Sequence, residues 1–191
     1  MENKAEKRAL ILENAVKLFG TKGYDGVGVQ EICLQSGITK PTLYYYFSSK
    51  AGLLSAIILE KGQAFLEELT EAAEYNHDFV GSLEQIMRSV IYFSKENSDF
   101  FLLACSLEVA SQKTEAASLF KDFSKKISDI YLDFFVKSAN EIEGLKDKEE
   151  LLSRIFQQIC ISISLDLLSE RMEFRPEIVP NAVEAFAHGV I

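Results

Sequence analysis

Apolar residues recur at three- and four-residue spacing along almost the whole chain, and no stretch alternates apolar and polar over the length of a strand. Proline, the strongest helix breaker, occurs at only three positions, Pro41, Pro176 and Pro180. The expectation is an all-α fold. The spacing predicts helices over 4–19, 29–36, 40–47, 49–73, 79–96, 99–111, 114–140, 147–171 and 177–189. Breaks fall in the glycine-rich stretch Gly20–Gly28 and at Tyr75–Asp78, Asn97–Ser98, Gln112–Lys113, Gly144–Asp147 and Phe174–Pro176. In the fourth helix Leu53, Leu54, Ile57, Ile58, Phe65, Leu66 and Leu69 hold helical spacing, so any domain boundary falls inside a helix rather than in a linker. Gly62, in its middle, reads either as a bend or as a close packing contact.

A chain of 191 residues with 48% hydrophobic residues buries a core without disulfides or metals. Its three cysteines, Cys33, Cys105 and Cys160, are far apart and form no Cys-x-x-Cys, which reads as reduced thiols in a cytoplasmic protein. No signal peptide is visible, and the longest continuous apolar run, Phe100–Cys105, falls far short of the ~20 residues of a membrane span. A soluble protein away from membranes is expected. The net charge of −9 argues at first against nucleic acid, but residues 1–50 carry +2 and the remainder −11. The field at the contact surface decides binding to phosphates, and an acidic body holds all but the basic end off DNA.

Residues 29–47 read as helix, tight turn, helix. Val29, Ile32 and Cys33 face inward on the first, Gly37 stands where a left-handed terminator is needed, Thr39 is placed to cap the second, and Pro41 is tolerated in its first turn. Ser48 or Ser49 caps the helix that follows. Successive helical residues are offset by about 100°. With Leu43 and Phe47 turned to a core of Ile11, Phe19 and Ile32, Pro41 and Tyr45 point nearly opposite. Thr42 and Tyr44 flank them, and Lys40 and Tyr46 lie nearer the side. Hydroxyls suit phosphates and base edges, and apolar carbon suits a thymine methyl. Lys40 reaches a base or phosphate, Lys50 and the free amides of the next helix suit a phosphate, and Gln30 is a further polar reader. On pattern alone Leu43–Phe47 also fits a buried strand, and exposed tyrosines also fit a protein interface.

The stretch from Arg8 to Leu54 resembles the TetR family of transcriptional regulators. The matching residues are Arg8, Ile11, Leu12, Ala15, Leu18, Phe19, Gly23, Tyr24, Val29, Ile32, Gly37, Ile38, Thr42, Leu43, Tyr44, Tyr45, Phe47, Ser49, Lys50, Leu53 and Leu54. The resemblance implies a three-helix helix-turn-helix DNA-binding domain over 1–50, joined by a long helix to an α-helical effector-binding and dimerisation domain over 51–191. It implies that Lys40, Pro41 and Thr42 read bases or adjacent phosphates and that Tyr44, Tyr46 and Lys50 touch the DNA backbone; Gln30, Thr39 and Tyr45 complete the candidate DNA-binding residues. Two departures stand out: Gly28 where a Ser or Thr commonly caps the first motif helix, and Cys33 in place of a usual Ala.

In the body, Leu152, Ile155, Phe156, Ile159 and Ile163 form a broad stripe widened by Cys160 and Leu167, wide enough for a core and a partner. Ala182 and Ala185 permit close helix approach beside Phe186. The resemblance implies a homodimer through the last two helices, with Leu152, Phe156, Ile159, Ile163, Leu167, Ala182, Ala185 and Phe186 as its interface; closure of a monomeric bundle is the alternative. A dimer also suits a helix-turn-helix, since two recognition helices in symmetry read a palindrome. Middle-helix aromatics suit either core packing or a small, largely apolar effector, for which Phe65, Tyr92, Phe101, Cys105, Glu108 and Phe123 are candidates.

An enzyme is the rival class. The two histidines, His77 and His188, have no second metal ligand nearby in sequence, and there is no Gly-x-Ser-x-Gly or phosphate loop. No cofactor is implied. The expected partners are a double-stranded DNA operator, a second copy of the chain and a small-molecule effector, with a protein partner in place of the effector as the other possibility.

Overall fold

The structure, a computed structural model, describes residues 4–109 and 114–189; the expected break at Gln112–Lys113 lies outside them. All regular structure among the described residues is helical: α1 (Lys4–Lys22), α2 (Val29–Gln35), α3 (Lys40–Phe47), α4 (Lys50–Ala72), α5 (Phe79–Glu96), α6 (Ser98–Glu108), α7 (Glu115–Ala139), α8 (Glu149–Leu168) and α9 (Ile178–Ala187). A single 3-10 turn, Glu143–Leu145, precedes α8.

The chain packs as two compact units. The first takes in residues up to Gln63 and Asn97–Ser124; the second takes in Ala64–Glu96 and the chain from Lys125 onward. The helices α4 and α7 each contribute to both.

In the first unit α1 lies against α2 and, most extensively, against α6. Ile11, Ala15, Phe19, Ile32, Leu43, Leu53, Leu54 and Ile57 are sealed from solvent there. Each large side chain so buried contributes about 1.5–3 kcal/mol. The first helix runs three residues beyond its expected end and through Gly20. It stops where Gly23, at φ +72°, turns left-handed and its N–H bonds back to the Phe19 carbonyl at 2.9 Å. Helix α4 is unbroken at Gly62. A Cβ there would lie 2.5 Å from Cε2 of Phe123, so the glycine serves close approach to α7.

In the second unit α5 packs on α8 and α9. An aromatic chain fills its centre: Phe79 stacks parallel to Phe134 at 5.9 Å, Phe134 meets Phe135 edge-on at 5.3 Å, and Phe135, Phe156 and Phe186 close a triangle with sides of 5.1–6.2 Å. Offset and edge contacts of this kind add about 0.5–1.5 kcal/mol each beyond burial. The Tyr131 hydroxyl donates to the Cys160 thiol inside the same core.

By continuous apolar runs the chain has no stretch long enough for a membrane, yet α8 is long and apolar enough overall to cross one. Polar residues such as the pair Gln157 and Gln158 and the single Ser162 and Ser164 interrupt the runs without making the helix polar. Leu152, Phe156, Cys160 and Ser164, spaced four apart, form its buried line.

Candidate nucleic-acid interface

The turn between α2 and α3 is built by backbone chemistry. Ser36 ends α2, Gly37 follows at φ +62°, its N–H reaches the Leu34 carbonyl at 3.2 Å, and the Ile38 N–H reaches Cys33 at 2.9 Å. This pair of bonds is the Schellman arrangement, and the left-handed residue at its centre favours glycine. The turn aims α3 away from α2. At the other end of α2, Gly28 occupies the cap position in an extended conformation and offers no side chain to it.

Thr39 takes the cap position of α3, but its hydroxyl does not bond a helix amide. It pairs with the Thr42 hydroxyl at 3.0 Å instead. The two hydroxyls orient each other, while the Thr42 N–H bonds the Thr39 carbonyl at 3.0 Å. Between Ser48 and Ser49 as caps of α4, the structure selects Ser49: its Oγ accepts from the Gly52 N–H at 2.9 Å. Ser48 instead closes α3 at φ +63°.

The helical wheel of α3 holds. Leu43 is fully buried and Phe47 nearly so, whereas Tyr45 is 68% and Tyr44 44% exposed. Lys40 and Pro41 are exposed, and Thr42 and Tyr46 half-buried. The Tyr46 ring meets that of Tyr45 edge-on at 5.2 Å. Gln30 and Thr39 are also exposed. The buried strand reading of Leu43–Phe47 therefore fails: the segment is helical, with apolar residues on one side only.

Lys50 sits half-buried at the start of α4. Its ammonium donates to the Tyr24 carbonyl at 2.5 Å and lies 3.9 Å from the centroid of the Tyr24 ring. Burial pulls its pKa down, opposed by the carboxylates of Asp25 and Glu115. Burial likewise pushes the Tyr24 hydroxyl up to about 12. Lys50 thus ties the α1–α2 loop to α4 in the free protein.

Two contacts at this face were not foreseen in the sequence. The Lys4 ammonium donates to the Tyr45 hydroxyl at 2.7 Å. Arg8 pairs with Glu60 of α4 and places its guanidinium 5.3 Å from the centre of the Phe47 ring. Both join residues more than 40 positions apart, so no local spacing announces them.

The six effector candidates do not fall in one unit. In the first, Phe101 and Phe123 are buried, Phe123 edge-on to Phe100 at 6.0 Å. Cys105 is half-buried, its thiol pushed up to about 11 by burial and by Glu108. Glu108 is exposed and accepts the Ser124 hydroxyl at 2.6 Å. In the second unit Phe65 is buried against Phe93 at 4.6 Å, and Tyr92 is 63% exposed, on the surface rather than along a cavity wall.

Of the dimer candidates, Leu152, Phe156 and Phe186 are buried within their own subunit and so have no surface to offer a partner. Ile159, Ile163, Leu167 and Ala182 are partly open and Ala185 exposed. The apolar positions that α8 leaves most open are Leu151, 60% exposed, and Ile155, 41% exposed.

Comparison with known proteins agrees with this geometry. The profile described as bacterial regulatory proteins, tetR family, matches residues 11–57, which span most of α1, all of α2 and α3 and the first turns of α4. The Bacillus subtilis HTH-type transcriptional regulator YuxN is 32% identical over 97% of this chain; the chain spans 64% of that relative's length. The Staphylococcus epidermidis protein IcaR, named as the HTH-type negative transcriptional regulator of the biofilm operon icaADBC, is 23% identical over 76% of each chain. A Rhodococcus RHA1 regulatory protein of the tetR family has the same fold, with a TM-score of 0.76 at 19% identity over 97% of both chains. These relatives are named as regulators of transcription, and none as an enzyme. A Schellman turn at Gly37, a recognition helix with its tyrosines outward and a matched segment reaching into α4 lead to one conclusion: residues 11–57 form a helix-turn-helix of the TetR family, in a chain that is similar along most of its length to HTH-type transcriptional regulators.

Proposed function

We propose that the protein is a cytoplasmic repressor that binds a palindromic operator as a homodimer and releases it on binding a small, largely apolar effector. The observation that carries the DNA half of this reading is the division of α3, with Leu43 and Phe47 buried and Pro41, Tyr44 and Tyr45 outward. In that reading Lys40, Pro41 and Thr42 meet base edges or adjacent phosphates. Gln30, Thr39, Tyr44, Tyr45, Tyr46 and Lys50 supply the surrounding contacts, and their hydroxyls, amide and ammonium groups suit phosphate oxygens. Repression is supported by the name of IcaR, a negative regulator.

A homodimer is supported by the apolar positions that α8 leaves open, Leu151, Ile155, Ile159 and Ile163, next to the small residues Ala182 and Ala185 of α9. The division into a DNA-contacting segment over 1–50 and an effector-binding and dimerising body over 51–191 belongs to the same reading. Switching is a coupling between two states. The helix α4 starts at the Ser49 cap beside Lys50 and runs unbroken to Ala72, so a ligand that displaces its far end also displaces its start. The separation of two recognition helices then changes, and a fixed palindrome is no longer matched.

The test is footprinting on DNA upstream of the protein's own gene and its neighbours, with and without apolar metabolites. Protection of two half-sites about one helical turn apart, lost on adding one compound, is the expected result. Equal affinity with and without every compound that binds the protein sinks the effector switch and leaves DNA binding intact.

A further inference from the structure

The most exposed aromatic on the recognition helix is not alone. Lys4, in the first turn of α1, brings its ammonium to 2.7 Å from the Tyr45 hydroxyl and 4.8 Å from the centre of that ring. Lys4 is exposed, and it lies outside the residues 11–57 that the family profile matches. Any duplex that approaches Tyr45 also meets this ammonium.

We propose that Lys4 and Tyr45 together form a phosphate-binding clamp that extends the DNA-contacting face from α3 onto the first turn of α1. The chemistry is complementary. An ammonium has three N–H donors and spends one on the phenol oxygen, leaving two for phosphate oxygens. A phenol oxygen that accepts from lysine keeps its own O–H free to donate. The pair therefore presents several donors and a full positive charge within one hydrogen-bond length, where either residue alone offers less. The contact with Tyr45 raises the Lys4 pKa, so the charge persists over the working pH range. Charge-assisted bonds to phosphate are about twice as strong as neutral ones and independent of base identity. Lys4 is accordingly an affinity residue and not a reader of sequence, with Tyr45 as the residue that positions it.

This inference rests on the assignment of α3 to the DNA groove. The full-length protein is titrated against a fluorescein-labelled duplex of mixed sequence at a series of salt concentrations, and anisotropy gives log K against log salt. For Lys4→Ala the slope is expected to become shallower by about one unit, with a loss of several-fold at low salt, because one fewer phosphate is neutralised. Lys4→Arg restores both. Tyr45→Phe and Lys4→Ala are expected to be non-additive, since removing the hydroxyl releases the ammonium it holds. An unchanged slope for Lys4→Ala overturns the clamp, and so does tighter binding, which makes the contact an obstruction instead. Strictly additive losses overturn the positioning role of Tyr45. If wild type binds the duplex and Tyr44→Phe, on the exposed face of α3, weakens that binding while Lys4→Ala does not, the clamp alone falls. If neither substitution matters, the assignment of α3 falls as well.

Discussion

Gly20 lies directly against the backbone of Asp99: a Cβ on the glycine would come within 3.1 Å of both Cα and the carbonyl carbon of Asp99, and nearer still to its carbonyl oxygen. This contact sits where α1 meets α6, the most extensive helix pairing in the first unit. Backbone cannot step aside as a side-chain tip can. Gly20→Ala removes a helical glycine, which alone stabilises by about 1 kcal/mol. It also forces α1 and α6 apart, and overpacking of this kind costs about 1–3 kcal/mol, occasionally more. The expected net result is a lower melting temperature despite the better helix former. A melt by circular dichroism that shows an increase overturns the contact as drawn.

Lys50→Ala is expected to weaken binding to every duplex about equally and to make the salt slope shallower by about one unit. The phosphate must draw the ammonium off the Tyr24 carbonyl, so the same variant also loses a bond that the free protein makes. A bond made by a charged group is worth about 1.5–3 kcal/mol. Salt titration and thermal melting on one preparation separate the two effects. A lower melting temperature with an unchanged slope assigns Lys50 to architecture alone.

Legibility in the sequence followed the range of the forces involved. The wheel of α3 was readable because its periodicity is local: once Leu43 and Phe47 face the core, Tyr45 has nowhere to go but out. Gly37 was readable because a left-handed terminator has few alternatives. Gly20 was not. It stands at the head of a glycine-rich stretch that reads as a break, yet helix α1 runs through it, because the constraint comes from Asp99, far along the chain. Gly62 left two options open, and only the ring of Phe123 decides between them. The body was harder. On α8 the apolar stripe is broad, so pattern could not say which line within it turns inward. Leu152 and Phe156 do, while Leu151 and Ile155 stay open. Tyr92 lies at the surface, on the side of α5 that carries Gln85, Arg88 and Lys95.

Thr42→Ala tests readout rather than affinity. The Thr42 hydroxyl is held by that of Thr39 at 3.0 Å, on the flank of the exposed face. Its loss is expected to change the ranking of operator variants, with discrimination at one base position falling by about 1–3 kcal/mol. Affinities across a series of single-base operator variants measure this. A uniform loss at all positions makes Thr42 a backbone contact.

The open and closed faces of α8 predict opposite outcomes for adjacent residues. Leu152→Ala removes a side chain buried in its own subunit and is expected to cost about 2–5 kcal/mol of stability. Leu151→Glu and Ile155→Glu alter exposed apolar positions, so the subunit keeps its fold while a charge is forced into any partner surface. Sedimentation velocity is expected to show monomers for the two Glu variants, with helical content unchanged. Dimers that persist in both place the interface elsewhere.

The three cysteines are poor candidates for a redox sensor, and their environments say why. Burial pushes the Cys160 thiol up to about 12 and the Cys105 thiol up to about 11, and it also raises that of Cys33. A thiol reacts as its thiolate, and one whose pKa stands near 11 is ionised to only about one part in a thousand at pH 8. For Cys160 the Tyr131 hydroxyl donates to sulfur and favours the thiolate, but desolvation outweighs it. The native protein is therefore expected to react slowly with a thiol reagent at pH 8 and to release all three thiols at once in guanidinium. Reactivity should begin with Cys105, which is half-buried while the other two are buried. A thiol that reacts within the mixing time in the native state, at any of the three positions, overturns this and makes that cysteine a sensor worth testing on DNA.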